Sequence, residues 1–112
     1  MCIFCRIAAH DLPARIVFED DDVVVLRDAH PQAPTHLLVI PRKHMASLSD
    51  ADEGDAALLG KLLLVARKVA LEHGLGTRGY RLVVNSGPDA GQSVFHIHVH
   101  VLGGRAMSWP PG

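Results

Sequence analysis

Three histidines at alternate positions, His96, His98 and His100, close the segment GQSVFHIHVH at residues 91–100. On a strand, alternate side chains share a face and stand about 6.6 Å apart along the chain. The three imidazoles would then form a row, with Ile97, Val99 and Val101 turned to the core. Such a row has three readings: a histidine-rich solvent face, a metal site built from neutral imidazoles, or a set of groups acting on a bound anion. The preceding loop, Asn85-Ser86-Gly87-Pro88-Asp89-Ala90-Gly91-Gln92-Ser93, favours the third. Its glycines permit backbone conformations that aim successive N–H groups at an anion, and Gln92 and Ser93 add side-chain donors. Alone it would read as a turn; beside the histidines it reads as a phosphate cradle. A ring nitrogen attacking phosphorus forms a phosphoramidate that water can cleave in a second step. Phosphoryl or nucleotidyl transfer is the chemistry this pattern suggests.

The elements that must position these groups are legible from periodicity and punctuation. Residues 15–19 and 23–27 are rich in β-branched side chains and flank the acidic turn Asp20-Asp21-Asp22, which predicts a hairpin. Residues 35–40 predict a third strand between Pro34 and Pro41. Ser49 or Asp50 is expected to cap a long helix that runs to about residue 73, with Leu58, Leu62, Val65, Val69 and Leu71 near its buried stripe and Gly74 as the stop. Leu59, Leu63, Leu64 and Ala66 widen its apolar surface beyond one face, which points to a second buried surface such as a dimer contact. Residues 80–85 and 95–102 predict two more strands. The sum is an α+β domain with an antiparallel sheet.

Composition narrows the function. The 112-residue chain fits one domain over residues 1–112. A formal charge of −1 with mixed signs offers no basic stripe for a nucleic-acid backbone. No apolar run approaches the length of a membrane span, and the first residues lack the features of a secretory signal, so a cytoplasmic setting is expected. Eight histidines against one Trp and one Tyr are the compositional hint of chemistry.

The run His96-Ile97-His98-Val99-His100-Val101-Leu102 resembles the signature of the histidine-triad (HIT) superfamily of nucleotide hydrolases and transferases. Pro31-Gln32-Ala33-Pro34-Thr35-His36, Ile40-Pro41-Arg42-Lys43-His44, Asn85-Ser86-Gly87, Gly103-Gly104-Arg105 and Trp109-Pro110-Pro111-Gly112 are similar to its Hint branch. The resemblance implies a five-stranded antiparallel sheet with one long helix and a short N-terminal helix, in a homodimer whose sheets join. It implies hydrolysis of purine nucleoside phosphoramidates through a nucleotidyl-histidine. Its alternatives are a dinucleoside polyphosphate hydrolase or a nucleotide-binding adaptor with vestigial activity. His98 would be the nucleophile, His100 would contact the phosphate and help the leaving group, and His36 would be the fourth active-site histidine. Asp28 would bind the ribose hydroxyls, and Phe4, Ile7, Leu26 and Leu38 would wall the purine pocket. Asn85, Gly91, Gln92, Ser93 and Val94 would serve the phosphate and leaving group, with Ser93, His36 and His100 as candidate proton donors. Trp109 would approach the partner subunit's site.

Cys2 and Cys5 form a C-x-x-C pair. A redox motif would need a strand before it, a disulfide is disfavoured in the cytoplasm, and two thiolates with two imidazoles complete a tetrahedral zinc site. HIT proteins with this pair imply Cys2, Cys5, His44 and His96 as ligands of a structural zinc, with no catalytic metal required. A catalytic zinc held by all three histidines is the rival arrangement, and two reduced cysteines that hold no metal are the other.

Overall fold

The structure, a computed structural model, describes residues 2–112. Its elements run α1 (Ile3–Ala8), β1 (Ile16–Glu19), β2 (Val23–Arg27), β3 (Thr35–Pro41), α2 (Ala56–Glu72), β4 (Tyr80–Val83) and β5 (Val99–Gly103). The five strands form one antiparallel sheet in the order β1-β2-β3-β5-β4, so β5 returns between β3 and β4. This is the α+β architecture expected, with its long helix and short N-terminal helix.

The unbroken apolar run of β2 follows from a sheet covered on both faces. Val23 and Val25 join Leu37, Val39, Val99 and Val101 against Leu62, Val65, Ala66, Val69 and Ala70 of α2. Val24 and Leu26 turn the other way, to Leu38, Ile40 and the Phe4, Ile7 and Ala8 side of α1. Alternation along each strand thus divides one set of apolar residues between two cores. The second core is shallow, because α1 covers only part of its face.

Three expectations need correction. The long helix begins at Ala56, after two single 3₁₀ turns at Leu48–Asp50 and Glu53–Asp55. Asp50 accepts the Ser47 N–H, and Asp52 accepts the Gly54 N–H, so acidic side chains close two separate short turns where one helix start was expected. On α2, Leu71 is 43% exposed, and Ala70 takes the buried place beside Val69. The last strand starts at Val99 instead of residue 95, and β4 ends at Val83. At the break, Ile97 N–H donates to Met45 C=O outside the sheet, which pulls residues 95–98 off the ladder. Ile97, Val99 and Val101 are nonetheless buried, as alternation required.

Of the four residues expected to widen the apolar surface of α2, Leu63 and Leu64 are 51% and 66% exposed, while Ala66 is buried in the sheet-facing core and Leu59 packs against it. Among the described residues no helix is long and apolar enough to cross a membrane. Leu62 is 1% exposed in the α2 core. Leu62→Ala should lower unfolding free energy by about 2–5 kcal/mol through lost burial and the cavity left behind, read from the midpoint of chemical denaturation.

Candidate functional site

Strand register builds the site. Leu26 lies opposite Leu38, and Leu38 opposite His100, so one cross-strand row leads from an apolar wall to an imidazole. His36 lies two residues along β3 from Leu38, opposite Leu102. α1 covers the apolar end with Phe4 and Ile7, and the loop after β2 places Asp28 beside His36. Together they line a cavity of about 880 Å³ that also takes in Ser93, Val94 and His98. That volume lies in the range of small-molecule sites.

Backbone groups decide how each histidine presents its ring. His98 Nδ1 is 2.8 Å from the His96 carbonyl oxygen, which only accepts, so Nδ1 carries the proton and Nε2 keeps a bare lone pair. The Phe4 ring meets His98 edge-on, with centroids 5.2 Å apart. His36 is the reverse case. Its Nδ1 accepts the Gln32 N–H at 3.0 Å, so its proton sits on Nε2, 2.8 Å from His100 Nδ1 and 3.3 Å from Asp28 Oδ2. Burial lowers the His36 pKa against the opposing pull of Asp28. Burial, then the neighbouring His98 and His36, push His100 down to about 4. Asp28, His36 and His100 lie close enough to suggest a metal site. Ligation through His36 Nε2 would move the proton to Nδ1, where the Gln32 N–H already points, so His36 and His100 are a hydrogen-bonded pair with the Asp28 carboxylate beside them.

A second cluster does fit a metal. His96, fully buried, donates Nε2–H to the Pro41 carbonyl at 2.7 Å and turns its Nδ1 lone pair to Cys2, Cys5 and His44. Its Nδ1 lies 3.3 Å from Cys2 Sγ, 3.5 Å from Cys5 Sγ and 3.2 Å from His44 Nδ1, with Cys5 Sγ 3.4 Å from His44 Nδ1. A tetrahedral ion bound by two sulfurs and two nitrogens has ligand edges of about 3.3–3.8 Å. Burial and the adjacent Cys2 thiol push the Cys5 thiol up, a conflict that a bound cation relieves. The four ligands expected from the sequence are thus gathered, and the same short helix that carries Cys5 carries Phe4 and Ile7 of the cavity.

Other sequence candidates fall elsewhere. Asn85, Gly91 and Gln92 do not line the cavity. The buried Gln92 amide accepts from Gly87 N–H and donates to the Ala46 and Val94 carbonyls, so it pins the loop from within. Trp109 is 81% exposed, with the Arg81 guanidinium 6.0 Å from its ring centre. Sequence reasoning missed the Gln32 N–H and the Pro41 carbonyl. Both are backbone groups, which no residue type announces.

Comparison with known proteins agrees with this geometry. The HIT domain model matches residues 9–107, and the chain belongs to that family. It is 52% identical over 110 residues to an uncharacterized HIT-like protein of Synechocystis sp., covering 98% of this chain and 96% of that one. A HIT family hydrolase from Legionella pneumophila superposes with a TM-score of 0.98 at 52% identity, covering all of both chains. A Zn-bound histidine triad family protein from Mycobacterium smegmatis superposes at 0.79 with 36% identity, over 93% of this chain and 75% of that one.

The depressed histidines carry a stability signature. His100 stays neutral in the folded protein down to about pH 4, while in the unfolded chain it takes up a proton near its ordinary value of 6.5. Between those values the unfolded state binds more protons, so stability rises with pH and falls on acidification. His36 acts in the same direction. Melting temperature should therefore fall as pH drops from 7 to 5, with a shallower slope in His100→Gln.

Proposed function

We propose that this chain is a hydrolase of the Hint branch, a single HIT domain over residues 1–112 that cleaves the P–N bond of purine nucleoside phosphoramidates. The observation that carries this reading is the His98 ring, held by the His96 carbonyl with Nε2 left bare at the wall of a cavity that also presents Asp28 and an apolar pocket. The purine lies among Phe4, Ile7, Leu26 and Leu38. The Asp28 carboxylate accepts hydrogen bonds from the two ribose hydroxyls. His98 Nε2 attacks the α-phosphorus, a bond forms from nitrogen to phosphorus, and the bond to the amine breaks. The departing nitrogen needs a proton. Ser93, exposed on the cavity wall, supplies one from its hydroxyl and regains one from water. The water that returns this proton to Ser93 supplies the oxygen that then attacks the phosphorus, the bond to His98 Nε2 breaks, and the nucleoside monophosphate is released. His100 donates to a phosphoryl oxygen, where charge develops.

Zinc is the proposed occupant of the Cys2, Cys5, His44 and His96 cluster, in a structural role. Four protein ligands leave no position for substrate or activated water. The ion would pin α1 to the strand that bears His98 and His100. The exposed Leu63, Leu64 and Leu71 support a homodimer formed through α2, and exposed Trp109 suits contact with the partner subunit's site. The reduced cysteines fit a cytoplasmic setting.

Two experiments test this reading. Rapid acid-free quenching with an adenosine phosphoramidate should trap adenylate on His98, and turnover by His98→Ala at the wild-type rate would sink the proposal. Nucleotide binding without turnover would favour an adaptor, and preference for dinucleoside polyphosphates would move the chain to that class. Elemental analysis should find about one zinc per chain, absent from the Cys2→Ser, Cys5→Ser double variant, which should keep measurable activity. Loss of all turnover to a strong chelator would instead support a catalytic ion.

A further inference from the structure

We infer that Arg105 is a positioning residue which, through Gln32 and His36, fixes His100 as an Nε2–H donor to the transferred phosphoryl group. The inference rests on the hydrolase reading above. The contacts begin just past the end of β5. Gly104 has φ of +92°, and a Cβ there would stand 2.8 Å from Pro34 Cβ, so only glycine turns the chain this close to the 28–34 loop. Arg105 follows, and its Nε donates to the Gln32 carbonyl at 3.1 Å while Nη1 donates to the Ala106 carbonyl at 3.1 Å. This clamps Gln32, whose own N–H donates to His36 Nδ1.

The rest is forced by hydrogen-bond polarity. A backbone N–H cannot accept, so His36 must show a lone pair at Nδ1 and carry its proton on Nε2. That proton faces His100 Nδ1 at 2.8 Å, so His100 must also present a lone pair there and hold its proton on Nε2. Protonating His100 would set two N–H groups against each other across that distance. The charged and titratable neighbours divide unevenly: His98 and His36 oppose a charge on His100, as does burial, and only Asp28 favours it. A neutral imidazole keeps its proton through the reaction. His100 therefore stabilises charge on phosphoryl oxygen and does not protonate the amine, which leaves that task to Ser93 and water. This refines the expectation that His100 helps the leaving group.

The test pairs spectroscopy with kinetics on the full chain. In ¹⁵N-histidine-labelled protein, alone and with adenosine 5′-monophosphate, the ring nitrogens of His36 and His100 should report neutral Nε2–H tautomers from pH 5.5 to 8. Arg105→Ala should mix these tautomers and lower kcat about tenfold, the scale of one misplaced hydrogen bond, with KM within about twofold. The loss should be equal for aliphatic and aromatic amine leaving groups, and Arg105→Lys should recover most of it. An imidazolium at His100 near pH 7, unchanged tautomers and kcat in Arg105→Ala, or a loss that grows with the basicity of the amine would overturn the inference. If the wild type turns over no phosphoramidate, the hydrolase reading fails, while the spectra still decide the state of His100.

Discussion

Backbone carbonyls and an amide hold one nitrogen of His36, His96 and His98, and what is left to the other nitrogen follows from that hold. The His96 carbonyl takes the Nδ1 proton of His98, the Pro41 carbonyl takes the Nε2 proton of His96, and the Gln32 amide takes the Nδ1 lone pair of His36. An imidazole in water exchanges freely between tautomers. Here each ring is buried or nearly so, and a ring in the wrong tautomer would leave a polar group unsatisfied at a cost of roughly 1–3 kcal/mol. Among the described residues, no buried side-chain nitrogen or oxygen lacks a partner. The same three bonds that satisfy the rings also select their reactivity.

This hold depends on a local defect in the sheet. Had the strand of His100 continued regularly back to residue 95, His96, His98 and His100 would stand in one plane as equivalents. Instead Ile97 pairs with Met45, the chain leaves the ladder, and His96 sinks beneath Pro41 while His98 remains at the cavity. Two residues of separation then suffice to divide the Cys2, Cys5 and His44 cluster from the cavity. The division is stable because the sheet around it is anchored on both faces, by α2 on one and by α1 with the cavity wall on the other.

Much of this was legible in the residues. Period-two and period-3.6 patterns are local, so the β1–β2 hairpin, β3 and most of α2 could be read directly, and the histidine spacing with its flanking motifs led to the family, the cavity wall and the four-ligand cluster. What escaped was set by competition among backbone partners. Ser49 or Asp50 reads as the cap of one long helix, but Ser47 with Asp50 and Asp52 with Asp55 close two short turns there instead. Gln92 looks like a ligand donor because it follows a glycine in the loop, yet its amide finds three backbone partners, at Gly87, Val94 and the distant Ala46. Leu71 fits the apolar stripe, but its position on the helix faces away from the sheet, where Ala70 packs. Such outcomes depend on which distant carbonyl or surface arrives, as Ala46 does for Gln92, and residue type does not encode the arrival.

The anchoring of opposite ring nitrogens has a consequence for how these histidines can be imitated. The amide of asparagine occupies roughly the place of Nδ1, and that of glutamine the place of Nε2. For His98, asparagine reproduces the anchored half of the ring and omits the half left bare at the cavity. For His96 the relation is inverted, since glutamine retains the buried anchor and omits the atom facing the thiols. Two histidines that a sequence alignment would score alike are therefore opposite handles on the same five-membered ring, and no one substitution is conservative for both.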